Sequence, residues 1–100
     1  MQINKMDVLT ELQRWYEAQC DGDWEHQYGV TIETLDNPGW TVSIDLINTD
    51  LETKEFREIT NLEPERNWIA CRVENGKFEG AGGTQMLEEI IKVFLGWVKT

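Results

Sequence analysis

The spacing of apolar residues changes twice along this chain of 100 residues, and this change constrains the fold more than any other feature of the sequence. Near both ends the apolar residues recur every three or four positions, as they do on one face of a helix. Between the ends they alternate with polar residues, which is typical of strands with one buried face. The pattern therefore predicts a helix near each end of the chain and a sheet between them.

The first helical pattern covers residues 5–20. Asn4 or Asp7 can cap its start, because the side chains of both residue types accept hydrogen bonds from the free N–H groups of a first turn. Gly22 follows the pattern, and glycine readily takes the left-handed conformation that often ends a helix. We predict that residues 23–26 form a loop before the first strand.

Five segments with alternating or weakly alternating apolar residues predict the strands of one antiparallel sheet. These segments are residues 28–33, 40–46, 54–60, 68–74 and 77–79. Asp-Asn-Pro-Gly at residues 36–39 predicts a tight turn, so the first two strands form a hairpin. Asn-Gly at residues 75–76 predicts a type I′ turn and a second hairpin. The strand at residues 54–60 has the weakest pattern.

Residues 80–83, Gly-Ala-Gly-Gly, interrupt the alternation and predict a turn from the sheet to the final helix. Thr84 is the expected cap of that helix. The resulting fold class is α+β, with four to five antiparallel strands flanked by N-terminal and C-terminal helices in the order α-β-β-β-β-β-α. The two helices can cover the apolar face of the sheet. We expect residues 1–100 to form a single domain.

The charge of the chain is strongly negative, since 19 Asp and Glu outnumber 9 Lys and Arg and the net charge is −10. This composition excludes direct binding to nucleic acid, which needs clusters of cations, and it favours a basic protein as partner. The longest apolar stretch, residues 93–98, is far shorter than the ~20 residues of a membrane span. The first residues lack the apolar core of a secretory signal, so we expect a cytoplasmic protein with reduced cysteines and no membrane contact.

Residues 20–26 form the densest polar segment, but their spacing does not fit a metal site or a nucleophile. A calcium loop that begins at Asp21 would need glycine at position 26 and a carboxylate at position 32, where the chain has His26 and Ile32. Acidic neighbours of Cys20 favour its neutral thiol over the reactive thiolate. We therefore predict no metal, no cofactor and no catalytic residue.

Five strings of the sequence are similar to a known family. They are residues 12–16 (LQRWY), 20–26 (CDGDWEH), 28–30 (YGV), 35–40 (LDNPGW) and 80–83 (GAGG). Together they resemble the Imm53 family of bacterial immunity proteins, and the resemblance extends over nearly the whole chain. It implies a small cytosolic α+β protein, encoded beside a polymorphic toxin, that binds and neutralises the toxin. Immunity proteins as a class commonly face nuclease toxins, which fits a basic partner.

Two interpretations of the residues in these strings stay open. In the first, a patch of the surface binds the toxin, and the candidate contacts are Asp21, Asp23, Trp24 and Glu25, with Asp36 as an outer member. In the second, these residues hold the fold, as we expect for the other motif residues. The other motif residues are Trp15, Tyr16, Cys20, Gly22, His26, Gly29, Asn37, Pro38, Gly39, Trp40, Gly82 and Gly83.

Two other functions are compatible with the residues alone. One is a small cytosolic enzyme that uses Cys20 or a pair of carboxylates, because nineteen acids leave many possible pairs. The other is an acidic housekeeping interaction module whose charge serves solubility. The sequence carries no signal for an oligomeric state.

Overall fold

Three helices and five strands make up residues 7–62 and 67–100, the part of the chain that this computed structural model describes. The helices are α1 (Val8–Gln19), α2 (Trp24–Gln27) and α3 (Leu87–Val98). The strands are β1 (Val30–Leu35), β2 (Gly39–Asp45), β3 (Ile59–Asn61), β4 (Ile69–Glu74) and β5 (Lys77–Gly82). The α+β class and the predicted order of the elements are confirmed, with α2 as one additional short helix.

The five strands form one antiparallel sheet in the order β1-β2-β5-β4-β3. Both predicted hairpins are confirmed, since β1 pairs with β2 and β4 pairs with β5. In the second hairpin, Asn75 and Gly76 have φ angles of 55° and 75°. Two consecutive positive φ angles are what a type I′ turn requires, and this turn matches the twist of the strands it joins.

The two faces of the sheet differ because neighbouring residues on a strand point in opposite directions. On one face, cross-strand pairing aligns Ile44 of β2 with Phe78 of β5, and Phe78 with Val73 of β4. Ile44 and Phe78 are fully buried, so this face carries the core. On the opposite face Ser43 and Glu79 are paired and partly accessible to solvent.

Helix α3 lies directly on the core face, where β5 has glycine instead of a side chain. A Cβ added to Gly80 would collide with Cγ2 of Ile90, and one added to Gly82 would lie 2.9 Å from Cβ of Met86. The missing side chains let the helix approach the strand backbone closely. Ile90 is completely buried as a result.

Two further segments cover the flanks of α3. Helix α1 packs against it, and the rings of Trp15 and Phe94 are 5.0 Å apart in an edge-to-face contact. On the other flank the ring of Phe56 lies 5.1 Å from that of Trp97. The indole N–H of Trp97 donates a hydrogen bond of 2.8 Å to the carbonyl of Glu55, so this segment is tied to the helix.

Two sequence expectations for the strands were wrong. In the predicted strand at residues 54–60, only Ile59 and Thr60 pair with β4, as part of β3; Phe56 packs into the core instead. The Gly-Ala-Gly segment at residues 80–82 is not a turn but the end of β5. The strand predicted at residues 77–79 is therefore twice as long as expected, six residues instead of three.

The helix boundaries also differ from the prediction. Asp7 caps α1 by accepting a 3.2 Å hydrogen bond from the N–H of Thr10, whereas Asn4, the other expected cap, lies outside the described residues. Thr84 does not cap α3; the helix begins after Met86, without a hydrogen bond from a capping side chain. The carbonyl of Thr84 instead accepts a 3.0 Å hydrogen bond from the indole of Trp40. Within the described ranges, no helix is long and apolar enough to cross a membrane.

The contact between α3 and β5 leads to the first prediction. The variant Gly80→Ala should lower the free energy of unfolding by about 1 to 3 kcal/mol, because the added methyl group has no room against Ile90. Gly96→Ala on the same helix is the matched control, since nothing lies within 4 Å of its Cβ position. This control should raise stability by about 0.5 to 1 kcal/mol through helix propensity. Urea denaturation measures both values, and an equally stable Gly80→Ala variant would contradict the close packing.

Candidate functional site

Residues 20–28, called the acidic segment below, join α1 to β1 and contain the one-turn helix α2. The segment is folded by its own carboxylates. Oδ1 of Asp21 accepts hydrogen bonds of 2.9 Å from the N–H groups of Asp23 and Trp24. The two carboxylate oxygens of Glu25 accept bonds of 2.9 Å from the N–H groups of Asp21 and Gly22. The two acids thus satisfy four backbone donors at and directly before the start of α2.

These hydrogen bonds favour the charged forms of both acids. The pKa of Asp21 is lowered mainly by the N–H of Trp24 and then by that of Asp23. The pKa of Glu25 is lowered by its own N–H group and then by those of Asp21 and Gly22. Both carboxylates are therefore firmly negative at neutral pH.

Trp24 is the buried centre of the acidic segment, with only 4% of its surface exposed. Its indole N–H donates a 2.8 Å hydrogen bond to the carbonyl of Ile47, 23 residues along the chain. Its ring lies about 6 Å from those of Trp15, Tyr16 and Tyr28. In this structure the indole closes one end of the core, and the exposed side chains of the segment are those of Asp21, Asp23, His26 and Gln27.

The remaining two candidate contacts, Asp23 and Asp36, are exposed. In residues 7–62 and 67–100 neither carboxylate has a hydrogen-bond or ion-pair partner. The acidic segment precedes β1, whereas Asp36 lies in the turn that follows this six-residue strand. At 3.3 Å per residue the strand separates them by about 20 Å. The structure thus brings Asp21, Trp24 and Glu25 together and places Asp36 at the opposite end of β1.

The motif residues within and before the acidic segment make mostly local contacts. The thiol of Cys20 donates to the carbonyl of Tyr16 at 3.4 Å. Gly22 has a φ of 95°, which glycine adopts without strain. The backbone N–H of His26 donates a 3.1 Å hydrogen bond to the carbonyl of Asp23, and the histidine side chain is exposed.

Gly29 connects the acidic segment to the sheet. Its N–H donates a 2.9 Å hydrogen bond to Oδ2 of Asp45, and its carbonyl accepts a 3.0 Å bond from the N–H of Asp45. The sequence prediction missed this pair and the acceptor carbonyl of Ile47. No local pattern marks either contact, because the partners are 16 and 23 residues apart and meet only when β1 pairs with β2.

Gly39, at the turn of the first hairpin, lies against Gly82 at the end of β5. The turn contains a cis peptide bond between Asn37 and Pro38. A Cβ on Gly39 would collide with the carbonyl oxygen of Gly82. The N–H of Gly83 donates a 3.1 Å hydrogen bond to the carbonyl of Trp68. Gly39, Gly82 and Gly83 therefore have contacts that stabilise the fold.

The pKa shifts of the described acids and of Cys71 are not those of a general acid or a reactive thiol. Every carboxyl group there with a resolved shift (Asp7, Asp21 and Glu25) has a lowered pKa, whereas a general acid needs a raised one. Burial raises the pKa of the Cys71 thiol to about 11, so this thiol is unreactive. No three His, Cys, Asp or Glu side chains in the described ranges are grouped to hold a metal ion.

The burial of Trp24 leads to the second prediction. Trp24→Phe should lower the free energy of unfolding by about 1 to 3 kcal/mol, because the carbonyl of Ile47 loses its donor and the core loses volume. Leu9→Ala is the control: Leu9 is 59% exposed, and its truncation should change stability by no more than about 0.5 kcal/mol. Chemical denaturation followed by circular dichroism measures both. Unchanged stability of Trp24→Phe would show that the indole does not close the core.

The hydrogen-bonded acids lead to the third prediction. Asp21 and Glu25 have folded-state pKa values below their usual values of 3.8 and 4.5. Their contribution to stability is complete above these usual values and is lost as the pH falls through the lowered folded-state values. The midpoint of thermal unfolding should therefore fall on acidification, and Asp21→Asn should make this fall shallower. Asp50→Asn, at an exposed turn, should leave the slope unchanged; identical slopes for both variants would contradict the role of Asp21.

The sequence of the chain matches a known protein family over nearly its whole length. The family model described as immunity protein 53 matches residues 9–99. No curated protein and no solved structure matches the chain. The matched residues include all of α1 except its first residue, the acidic segment, the whole sheet and α3. The chain therefore belongs to the Imm53 family of immunity proteins.

Proposed function

We propose that this chain binds a cognate toxin of a bacterial polymorphic toxin system and neutralises it in the cytoplasm of the producing cell, without catalysing a reaction. The observation that carries this proposal is the match of the immunity protein 53 model to nearly the whole chain. An immunity protein acts by forming a complex with its toxin. The lowered pKa values of Asp21 and Glu25 and the raised pKa of the Cys71 thiol are compatible with this role.

The charge of the chain supports a basic toxin as partner. A net charge of −10 creates a field of one sign, which steers a cationic protein and accelerates its association. Nuclease toxins fit this requirement, because their active sites bind phosphate and are lined by cations. Carboxylates of the immunity protein can occupy such a cleft in place of phosphate groups.

The candidate contacts divide by their structural role. Asp21 and Glu25 carry negative charge at the surface but also hold the acidic segment together. The carboxylates of Asp23 and Asp36 are exposed and make no such hydrogen bonds in the described residues. We propose that Asp23 and Asp36 form direct ion pairs with the toxin, while Asp21 and Glu25 fix the shape of the surface. Trp24 supports this surface from beneath.

The fourth prediction tests this division with a matched pair of charge reversals. The probe is an inactivated form of the toxin encoded by the reading frame beside the gene. Asp23→Lys should raise the Kd of the complex about 10-fold without lowering stability, whereas Asp50→Lys should leave the Kd within about twofold. Titration calorimetry at several salt concentrations measures both, and the wild-type affinity should fall as salt rises.

The outcomes separate the proposed function from its mechanism. Absence of any complex, together with cells that grow normally after deletion of the gene beside an active toxin, would favour a housekeeping module. A complex whose affinity is independent of salt and of Asp23→Lys would leave neutralisation intact and remove the acidic surface as its cause. Turnover of a substrate by the purified chain would favour an enzyme.

A further inference from the structure

Among the described residues, strand β1 forms one edge of the sheet and pairs with another strand on one side only. Its register with β2 runs without interruption from the pair Val30 and Ile44 to the pair Leu35 and Gly39. In the part of the chain that the structure describes, no strand pairs with its outer side. The opposite edge is β3, which is only three residues long, against six for β1.

The direction of the backbone groups on this edge follows from the contact at its beginning. The N–H of Asp45 donates to the carbonyl of Gly29, so these two residues form a hydrogen-bonded pair. In an antiparallel ladder, hydrogen-bonded and non-hydrogen-bonded pairs alternate. The N–H and C=O groups of Val30, Ile32 and Thr34 therefore point away from β2, to the outer side of the sheet. They are positioned to bind another strand.

Strand β1 has only one of the features that usually protect an edge, the charge of Glu33. Natural edge strands avoid pairing with other chains by means of proline, charged side chains (above all lysine), a bulge or very short length. The sequence of β1, VTIETL, has no proline and no lysine, and its register with β2 contains no bulge. Its single charge is the exposed carboxylate of Glu33. An edge of this kind is suited to β-augmentation, in which a partner adds a strand to an existing sheet.

We propose that an extended segment of the toxin pairs with the outer edge of β1 and adds a sixth strand to the sheet. This inference rests on the proposed function and identifies the surface used. The side chains of β1 specify the chemistry of the segment. Ile32, which is 39% exposed, lies on the helix-covered face, and Glu33 lies on the other face. A complementary segment places an apolar residue beside Ile32 and Lys or Arg beside Glu33.

The charge distribution favours a basic partner over a second copy of the chain. Two copies joined along β1 would combine two bodies of charge −10 and bring acidic edges together. A basic segment, in contrast, would be attracted by these acidic residues. It would pass the acidic segment at the start of β1, Glu33 within the strand, and Asp36 in the following turn. The outer edge of β1 thus runs from the acidic segment to Asp36.

Two variants test the edge independently. Ile32→Pro removes an outward N–H group. It leaves the hydrogen bonds to β2 in place, because Ile32 and Val42 form a non-hydrogen-bonded pair. Glu33→Lys reverses the charge without changing the backbone. Asp50→Lys is the control for charge. Each full-length variant is first checked for a native circular dichroism spectrum and is then titrated with the inactivated toxin encoded beside the gene. Hydrogen exchange of the wild-type complex reports on individual amides.

We expect Ile32→Pro and Glu33→Lys each to raise the Kd about 10-fold or more, with Asp50→Lys unchanged. In the complex, the amides of Val30, Ile32 and Thr34 should exchange more slowly than in the free protein. A tight wild-type complex in which both variants bind normally and these amides stay unprotected would overturn the edge contact and leave the proposed function standing. If the free protein is a dimer that Ile32→Pro dissociates, the occupant is a second copy and the inference is wrong. If the wild type forms no complex, the proposed function and this inference fail together.

Discussion

The contact between Ile90 of α3 and the backbone of β5 at Gly80 is the one on which the rest of the structure depends. It sets how closely the helix approaches the sheet. Phe94, one turn further along α3, then packs its ring 5.2 Å from that of Phe78 and 5.0 Å from that of Trp15. Because Trp15 contacts Trp24, the position of the acidic segment follows from the same helix. A chain of aromatic contacts therefore connects the centre of the sheet to the candidate site.

The parts of the fold that the sequence predicts correctly are those determined by local geometry. Asn75 and Gly76 take positive φ angles in a two-residue turn, and the helical period of α3 identifies its buried face. The wrong expectations concern long-range contacts. Gly80 and Gly82 weaken strand propensity, and their place in β5 depends on space needed by α3, which no local pattern records. Helix α2 has one turn and therefore no period to detect.

The candidate site shows the same division at the level of single side chains. The sequence indicates an acidic stretch with one aromatic residue, but it does not distinguish a carboxylate that caps a helix from one that is open to solvent. Asp21 and Asp23 are two positions apart, yet the carboxylate of Asp21 accepts two backbone hydrogen bonds and that of Asp23 accepts none in the described residues. The role of Trp24 depends on Ile47, which reaches it only through the pairing of β1 with β2.

The two hydrogen bonds between Gly29 and Asp45 affect how β1 would bind a partner strand. It anchors the beginning of the strand, while the hairpin turn anchors its end, so the chain has already lost the conformational freedom of these residues on folding. Ordering a flexible backbone costs about 1 to 2 kcal/mol per residue. For a ligand strand that docks alongside β1, this entropic penalty falls on the ligand alone, and its size is governed by how rigid the ligand is before the encounter.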